Sequence, residues 1–281
     1  MKKTQKNAKK LDFFTLTSPE RIIFPKNNIT KLDVFNYYND IAELILPFLK
    51  NRPLSIIRCN AGIENKFFKR HATNTKEMVE RFLDGDEEYF YIKTKSQLLN
   101  QVQMGTIEFH PWGCLYPKIN NPDMMIFDLD PDEKLGLKQL QKGVLDLKTI
   151  LDELNLTAFL KTSGGKGYHI VVPFSNCSNW EIFDNFSENI ARVLELKFPN
   201  LYTTNIRKAE RTGRIFIDYL RNTKGATCVS PHSLRAKESA PISFPIAWEN
   251  LTKITPNKIT IKNYKKYLNN SWKNFNKYPK N

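Results

Sequence analysis

The sequence contains no long apolar run and few of the residues that crosslink small or secreted proteins. No segment approaches the ~18 consecutive apolar residues that a membrane-spanning helix requires. The N-terminal segment MKKTQKNAKKLDFF has a basic start but no apolar core and no small-residue cleavage site, which argues against a secretory signal. The four cysteines lie 51 to 63 residues apart, without the close Cys or His spacing typical of zinc sites. We therefore expect a cytoplasmic protein with reduced thiols and no membrane segment.

Acidic residues are absent from both ends of the chain, so the excess positive charge is concentrated there. The chain has 43 Lys and Arg against 29 Asp and Glu, a formal net charge of +14. Residues 1–10 hold five Lys and residues 250–281 hold eight. This charge predicts a polyanionic partner; solvated surface charge in a lysine-rich proteome is an equal alternative. Residues 1–10 are predicted to form a disordered basic arm, and residues 11–281 a single domain.

Patterns typical of strands and helices alternate along the chain. Strands are predicted at residues 54–58, 88–92, 106–110, 124–130, 157–161, 168–174 and 214–220. Helices are predicted at residues 30–50, 94–104, 137–154 and 179–198, followed by a basic C-terminal helix within residues 260–270. Thr30 begins the first helix in the capping-box pattern TKLD, and Pro47 is expected to kink or end it. The alternation predicts a mixed α/β domain.

Acidic residues end two apolar runs. Asp128 and Asp130 close the run MMIFDLD, and side chains two residues apart in a strand point to the same face. Two such carboxylates repel each other unless a cation lies between them, and their hard oxygens suit Mg²⁺ or Mn²⁺. A turn or surface position is the alternative. Asp218, in RIFIDYL, would complete a two-metal site, unless it pairs with Arg214 or Arg221.

A glycine-rich segment, SGGKG at residues 163–167, joins two predicted strands. Its three glycines allow backbone N–H groups to approach an anion closely. Ser163 adds a hydroxyl donor, and Lys166 adds a positive charge suited to phosphate. The spacing matches neither a Walker A loop nor a dinucleotide-binding fingerprint. A plain hairpin turn is therefore the alternative to an anion-binding loop.

Aromatic and basic residues adjoin in the segment FFKR. Phe67 and Phe68 are followed by Lys69 and Arg70, and a further cation, Arg58, precedes them in the chain. Aromatic rings stack on bases and cations hold phosphates, so these residues are predicted to contact nucleic acid. Two core phenylalanines are the alternative, although two adjacent residues of a strand cannot both face one core.

Taken together, the motifs resemble one known family. They are LTSPERIIFP, ITKLD, RPLSIIRC, FFKRH, IEFHPWG, MIFDLDP, TSGGKGYHIVVP, GRIFIDYLRN and SPHSLRAK. In order and spacing they are similar to the polymerase domain of bacterial ligase D, a member of the archaeo-eukaryotic primase superfamily. The resemblance runs from about Thr15 to Leu268. It implies a primase-like catalytic fold with mixed and antiparallel sheets flanked by helices.

The resemblance also implies roles for individual positions. Three match the family's metal-binding and catalytic carboxylates: Asp128, Asp130 and Asp218. Five match residues around the incoming nucleotide and its triphosphate: His110, Ser163, Lys166, His169 and Arg235. Two match aromatics that stack on or wedge the template strand: Phe67 and Phe68. Two match basic residues that grip a downstream 5′-phosphate: Lys31, and Arg21 at a position where lysine is usual.

The implied reaction is DNA-dependent nucleotidyl transfer with two Mn²⁺ or Mg²⁺ ions. The enzyme would extend primer 3′ ends and fill gaps at double-strand breaks in non-homologous end joining. NTPs and dNTPs are the implied substrates, with ribonucleotides preferred. The implied partners are DNA with 5′-phosphate ends or gaps, the end-binding protein Ku and a separate DNA ligase. The implied location is the bacterial cytoplasm, at the nucleoid.

Two other classes of protein remain as alternatives. A non-catalytic protein that bridges DNA ends would use the basic termini, the aromatics and the phosphate-binding residues. It would be expected to have a damaged set of carboxylates, whereas Asp128, Asp130 and Asp218 are all present. A glycosyltransferase with a DxD motif would leave the basic ends and the FFKR segment without a role.

Overall fold

The computed structural model describes residues 9–10, 15–72, 74, 76–175, 179–270, 272 and 275. The strands are β1 (Lys9–Lys10), β2 (Thr15–Leu16), β3 (Ile22–Phe24), β4 (Ile29–Thr30), β5 (Leu54–Arg58), β6 (Phe67–Lys69), β7 (Glu80–Asp84), β8 (Glu87–Tyr91), β9 (Thr106–Pro111), β10 (Met124–Pro131), β11 (Phe159–Thr162), β12 (Tyr168–Pro173), β13 (Tyr202–Thr203), β14 (Ile215–Asp218) and β15 (Pro245–Ile246). The α-helices are α1 (Lys31–Asp40), α2 (Ala42–Leu49), α3 (Lys95–Gln103), α4 (Leu137–Glu153) and α5 (Trp180–Lys197). Short 3-10 helices lie at Pro25–Asn27, Ile63–Asn65, Lys208–Arg211, Leu220–Asn222, Trp248–Asn250 and Tyr264–Asn270.

A six-stranded sheet forms the centre of the molecule, in the order β13-β14-β10-β12-β11-β15. The strand β10 pairs antiparallel with β12 on one side and with β14 on the other, and only the edge pair β13–β14 is parallel. Helix α4 packs on this sheet where Gly143 lies against Ile215 and Tyr202. The three strands that bear the predicted acids and the glycine-rich segment are therefore neighbours.

A second sheet, in the order β6-β5-β9, lies beside helices α1, α2 and α3. The predicted strands at residues 54–58 and 106–110 are its β5 and β9, and the predicted helix at residues 94–104 is α3. The mixed sheets and flanking helices confirm the predicted α/β class. Among the described residues, no helix combines the length and the apolar character needed to cross a bilayer.

The predicted helix at residues 30–50 is two helices, α1 and α2. Its start is confirmed, since the Thr30 hydroxyl accepts from the Asp33 N–H while the Asp33 carboxylate accepts from the Thr30 N–H. The helix does not end at Pro47, because α2 continues through Pro47 to Leu49. The break lies at Ile41, whose ψ of 10° ends α1 although its N–H still bonds to the Tyr37 carbonyl. Ile41 is buried, so core packing fixes this bend.

Parts of both basic ends lie outside the described residues. Of the predicted disordered arm, residues 1–8 are not described, and Lys9–Lys10 pair with Thr15–Leu16. The predicted C-terminal helix is a 3-10 helix, Tyr264–Asn270, rather than an α-helix. Tyr264 is buried, and Ile261 and Leu268 pack half-buried against the core.

Candidate active site

Strand pairing brings the three predicted carboxylates together. Asp128 and Asp130 share one face of β10, because side chains of a strand alternate. Asp218 ends β14, where its Cα is the direct cross-strand partner of Asp128. The buried residues that precede them, such as Phe127 and Ile217, hold both strands in the core. The three acids therefore emerge at one edge of the core, as the sequence predicts.

The electrostatics of these acids favour a bound cation. Burial, together with the charge of Asp128, raises the pKa of Asp130. Burial also raises the pKa of Asp218, with Arg221 opposing this shift and Asp128 adding to it. Asp128 is different, because His169 and Arg221 outweigh its burial and lower its pKa. The carboxylate oxygens of these acids are hard donors that suit Mg²⁺ or Mn²⁺, and a cation would relieve the repulsion that Asp128 exerts on Asp130 and Asp218.

Two arginines already contact these carboxylates. Arg221 Nε lies 3.0 Å from Asp218 Oδ2, and its Nη2 lies 4.0 Å from Asp128 Oδ2. Arg211 Nη1 lies 3.9 Å from Asp130 Oδ2. The pairing of Asp218 with Arg221, the alternative raised from the sequence, is thus present. Among the described residues, no three His, Cys, Asp or Glu side chains converge closely enough to enclose a metal ion.

The glycine-rich segment forms a tight loop between β11 and β12. The Ser163 hydroxyl oxygen accepts from the N–H of Gly165 at 3.0 Å and of Gly167 at 3.2 Å. A side chain at Gly167 would collide with the backbone carbonyl of Leu129, beside Asp128. Glycine is therefore required here for close approach of the loop to β10. Ser163 organises this loop from within, while Lys166 extends into solvent and pairs with Glu133 at 2.8 Å.

A buried acid, Glu108, holds two of the predicted nucleotide-binding residues. Its carboxylate lies 3.0 Å from His110 Nε2 and 2.8 Å from Arg235 Nε. Arg235 also donates to the Ser163 carbonyl at 2.5 Å. Burial disfavours the Glu108 carboxylate, but His110 and Arg235 lower its pKa to about 2. Burial lowers the pKa of His110 itself.

His169 lies at the inner wall of the site, on β12. Its Nε2 is 3.3 Å from Asp128 Oδ1. Its Nδ1 faces Lys161 Nζ at 2.6 Å and Cys228 Sγ at 3.2 Å. The imidazole therefore joins the carboxylate cluster to a buried polar cluster behind it.

A cavity of about 270 Å³ borders many of these groups, but Asp218, Glu108 and Lys161 are not among its lining residues. Seven predicted residues line it: His110, Asp128, Asp130, Ser163, Lys166, His169 and Arg235. Five further lining residues were not predicted as site residues: Arg221, Thr227, Cys228, Val229 and Lys237. Glu108 was also missed, although it stands two residues before His110 and so shares its strand face. Lys161 was detectable as a charged residue within an apolar strand pattern.

The FFKR segment presents aromatic rings next to the cavity. Phe67 and Phe68 are 44% and 49% exposed on β6, so both adjacent phenylalanines lie outside the core. The Phe68 ring lies 6.3 Å from the His110 ring, edge to face. The exposed Arg70 guanidinium lies 5.7 Å from the Phe68 ring centre. Lys69 contacts Glu77 at 2.5 Å.

The predicted contact of Arg58 with the DNA backbone was wrong. Arg58 is buried, and its guanidinium lies 2.9 Å from both the Glu77 carboxylate and the Gln101 side-chain oxygen. A guanidinium enclosed by these partners cannot reach a phosphate without opening the core. Arg58 instead anchors the loop that carries Glu77.

A second basic pair lies apart from the cavity. Lys31 is buried, and its Nζ donates to the Thr17 carbonyl and to the Gln103 side chain, both at 2.9 Å. Arg21 is exposed and donates to the Asn60 carbonyl at 2.6 Å. Burial, with a contribution from the charge of Arg21, lowers the pKa of Lys31 to about 8. The two cations lie near enough to influence each other, which is the arrangement that a single anion would stabilise.

Comparison with known proteins identifies the family. The sequence profile described as "LigD, primase-polymerase domain" matches residues 30–275. The chain is 37% identical over 242 residues to the multifunctional non-homologous end joining protein LigD of Pseudomonas aeruginosa, covering 84% of this chain and 29% of that protein. It is 32% identical over 250 residues to the bifunctional non-homologous end joining protein LigD of Bacillus subtilis, covering 87% and 41%.

A solved structure agrees with this family. The polymerase domain of Mycobacterium tuberculosis ligase D, in complex with DNA, superposes with a TM-score of 0.81 at 26% identity. The match covers 89% of this chain and 92% of that domain. The chain spans well under half the length of the two LigD proteins, but nearly all of this domain. The chain therefore belongs to the LigD primase-polymerase domain family.

Proposed function

We propose that this chain is a DNA-dependent nucleotidyltransferase that extends primer 3′ ends and fills gaps at double-strand breaks in non-homologous end joining. One observation carries the proposal: the paired strands β10 and β14 bring three carboxylates together, and two of them, Asp128 and Asp130, line a basic cavity of about 270 Å³. Carboxylates beside phosphate-binding cations are the arrangement that phosphoryl transfer requires. The LigD relatives are described as non-homologous end joining proteins, and the structural neighbour is a ligase D polymerase domain in complex with DNA.

The carboxylates are proposed to hold two divalent cations, Mn²⁺ or Mg²⁺. Asp128 and Asp218 are cross-strand partners on the adjacent strands β10 and β14, and Asp130 lies on the same face of β10 as Asp128. When bound, such ions lower the pKa of an attacking hydroxyl group and neutralise charge on the phosphates. Arg221 is then expected to release Asp218 and to turn towards the substrate's phosphate oxygens.

The cavity is proposed to hold the triphosphate of an NTP or dNTP. Arg235 is fixed by Glu108 and by the Ser163 carbonyl, so its guanidinium is oriented before substrate binds. Lys166 is 67% exposed and can leave Glu133 for a phosphate at little cost. His110 and His169 border the same space. A preference for ribonucleotides is proposed from the family alone.

The DNA is proposed to contact two regions outside the cavity. Phe67 and Phe68 would stack on or wedge template bases, with Lys69 and Arg70 near the backbone. Arg21 and Lys31 would bind the 5′-phosphate at the far side of a gap. Ku and a separate DNA ligase are proposed as partners, at the nucleoid in the bacterial cytoplasm.

Primer extension on a gapped duplex with a 5′-phosphate tests the proposal. In the presence of Mn²⁺, Asp218→Asn is expected to reduce nucleotide incorporation by roughly 100-fold or more, while DNA affinity measured by fluorescence anisotropy is retained. The matched control is Asp86→Asn, which removes an exposed carboxylate at the β7–β8 turn. Incorporation by Asp218→Asn at the control's rate would overturn the assignment of the carboxylates.

The same assay separates the alternative function. A wild-type chain that binds and joins DNA ends in a bridging assay, but incorporates no nucleotide with either metal, would be a non-catalytic end-bridging protein. Template-directed incorporation excludes that alternative and a glycosyltransferase together.

A further inference from the structure

The outer face of helix α5 carries a row of apolar side chains that the rest of the described chain leaves exposed. The row consists of Ile182, Phe186, Val193 and Leu196, which are 55%, 37%, 41% and 80% exposed. A different face of α5 serves the core, through buried residues such as Phe183 and Leu194. A helix on the surface of a domain needs one apolar stripe, so a second, exposed stripe indicates a contact surface.

The spacing of the exposed row is that of a coiled-coil seam. With the exposed Asn189 included, its residues follow one another at intervals of four, three, four and three positions. This is the repeat by which two helices pack along their length, with side chains of one helix inserted between those of the other. We call these five residues the α5 seam: Ile182, Phe186, Asn189, Val193 and Leu196.

The α5 seam is nearly symmetric about Asn189. Ile182 and Leu196 lie seven positions before and after it, while Phe186 lies three before and Val193 four after. If two such helices run antiparallel, Ile182 of each copy meets Leu196 of the other, and the two Asn189 side chains meet at the centre. A single Asn in a seam sets the register of the pair at some cost in stability. A second copy of α5 therefore matches the seam along its whole length.

Charges beside the α5 seam favour this antiparallel orientation. Arg192 is three positions after Asn189 and four before Leu196, so it is adjacent to both on the helix surface. Its Nη2 lies 2.6 Å from Glu188 Oε1, one turn earlier. Antiparallel pairing about Asn189 brings Glu188 of one copy close to Arg192 of the other. Parallel pairing would instead place each of these charges beside its own like charge.

We propose that the α5 seam is a homodimer interface, in which two copies of this chain pair their α5 helices antiparallel about a two-fold axis at Asn189. Two-fold pairing uses the same patch on both copies, which a self-complementary seam provides. Helix α5 has 18 residues and is thus about 27 Å long, so the contact belongs to the small interfaces, below about 1,200 Å². The dimer should therefore form reversibly, and it does not depend on the proposed function.

Sedimentation equilibrium of the full chain without DNA tests the interface. We expect the wild-type chain to shift from monomer to dimer between about 10 µM and about 1 mM, the affinity range of a small interface. Leu196→Lys should raise the dissociation constant of the dimer by about tenfold or more, because a buried leucine is replaced by a charge. Leu196 is 80% exposed within one copy, so this variant is expected to fold.

A second exposed leucine provides the matched control. Leu83, on β7, is 70% exposed and lies outside the α5 seam, so Leu83→Lys makes the same change of charge elsewhere. This variant should dimerise as the wild-type chain does. A wild-type chain that stays monomeric throughout the concentration range would overturn the proposal, and another protein would then be the partner of the seam. A dimer that Leu196→Lys leaves unchanged would overturn it too, because another surface would then hold the dimer.

A charge exchange tests the antiparallel orientation. Arg192→Glu should weaken the dimer, because acidic side chains of the two copies then meet. Adding Glu188→Arg to this variant should restore the dimer, because opposite charges again face each other between the copies. A double variant that dimerises no better than Arg192→Glu would contradict the orientation.

Disulfide crosslinking provides a second measurement of the orientation. Variants Ile182→Cys and Leu196→Cys should form a crosslinked dimer when mixed under oxidising conditions, and much less when each is oxidised alone. The reason is that antiparallel pairing joins one of these positions to the other, whereas parallel pairing joins each to itself. The wild-type chain measures the background from its own thiols. Crosslinking of each variant with itself, but not of the mixture, would refute the antiparallel dimer.

Discussion

At the scale of the residue, the burial of Lys31 makes it a sensitive probe of anion binding. Two N–H groups of Lys31 donate hydrogen bonds to uncharged acceptors, the Thr17 carbonyl and the Gln103 side-chain oxygen. The nearby positive charge of Arg21 repels the ammonium group. A phosphate would supply the missing negative charge. This situation differs from that of Arg58, whose charge is already matched by Glu77. Of Lys31 and Arg58, only Lys31 is therefore suited to binding a DNA phosphate.

Binding to a 5′-phosphate should consequently depend on pH. The pKa of Lys31 is lowered to about 8, so its charge is present below that pH and is lost as pH rises through it. A phosphate monoester stays doubly charged throughout, because its second pKa is about 6. We expect the preference for 5′-phosphate over 5′-hydroxyl gapped DNA to fall between pH 7 and 9, measured by competition anisotropy.

A substitution provides the control for this pH dependence. Lys31→Met should lower the preference for 5′-phosphate by about tenfold or more, since a hydrogen bond to a charged group contributes about 1.5–3 kcal/mol. It should also remove the pH dependence. Equal weakening on 5′-hydroxyl DNA would instead indicate a general backbone contact.

At the scale of the element, the contact between the glycine-rich loop and β10 sets the shape of the site. Gly167 lies against the Leu129 carbonyl, and a backbone group cannot move aside as a flexible side chain can. Gly167→Ala should therefore destabilise the protein by about 1–3 kcal/mol, as overpacking does, and should raise the KM for nucleotide. Thermal unfolding and steady-state kinetics measure the two effects.

A second glycine offers the matched control. Gly136 has ordinary helix-entry dihedrals at the start of α4, and a Cβ there would have only an ordinary contact with Gln139. Gly136→Ala should cost only the roughly 1 kcal/mol expected when alanine occupies an N-cap, and it should leave the KM unchanged because Gly136 does not line the cavity. If Gly167→Ala behaved in the same way, the close approach of loop and strand would not constrain the site.

The elements themselves were largely predictable. The capping box at Thr30 and the apolar runs that became β10, β12 and β14 are local signals, and each was confirmed. The bend at Ile41 was not predictable, because it serves the packing of α1 and α2 against the rest of the core. Local sequence predicted a kink or an end at Pro47, but α2 continues through this proline to Leu49.

At the scale of the whole molecule, the excess positive charge lies at the two ends of the chain, whereas charges of both signs line the cavity. Residues 1–10 and 250–281 carry 13 of the 14 excess positive charges. Within the described chain, Asp128 and Asp130 share a cavity with Arg235 and Lys166. The ends are thus expected to supply non-specific, salt-dependent DNA affinity, while the cavity supplies chemistry.

Deletion of residues 1–10 tests this division. Removing five Lys should weaken DNA binding modestly and make the slope of log affinity against log salt less steep, because fewer counterions are released. The rate of incorporation at saturating DNA should be retained. An inactive deletion variant would show that the N-terminal residues also serve the site.

The sequence by itself indicated the family, the shared strand face of Asp128 and Asp130, and the position of the glycine-rich loop. These features follow from motif order and strand alternation, which are local properties of the chain. Tertiary structure alone decided which charges are enclosed and what surrounds them. Arg58 and Phe68 look equally suited to DNA in the sequence, yet one is buried against Glu77 and the other is 49% exposed. Glu108 gained its partner only when the fold placed Arg235, which is 127 residues away in the chain, beside it. Burial and partner charge arise from contacts between segments far apart in the chain, and no local pattern contains them.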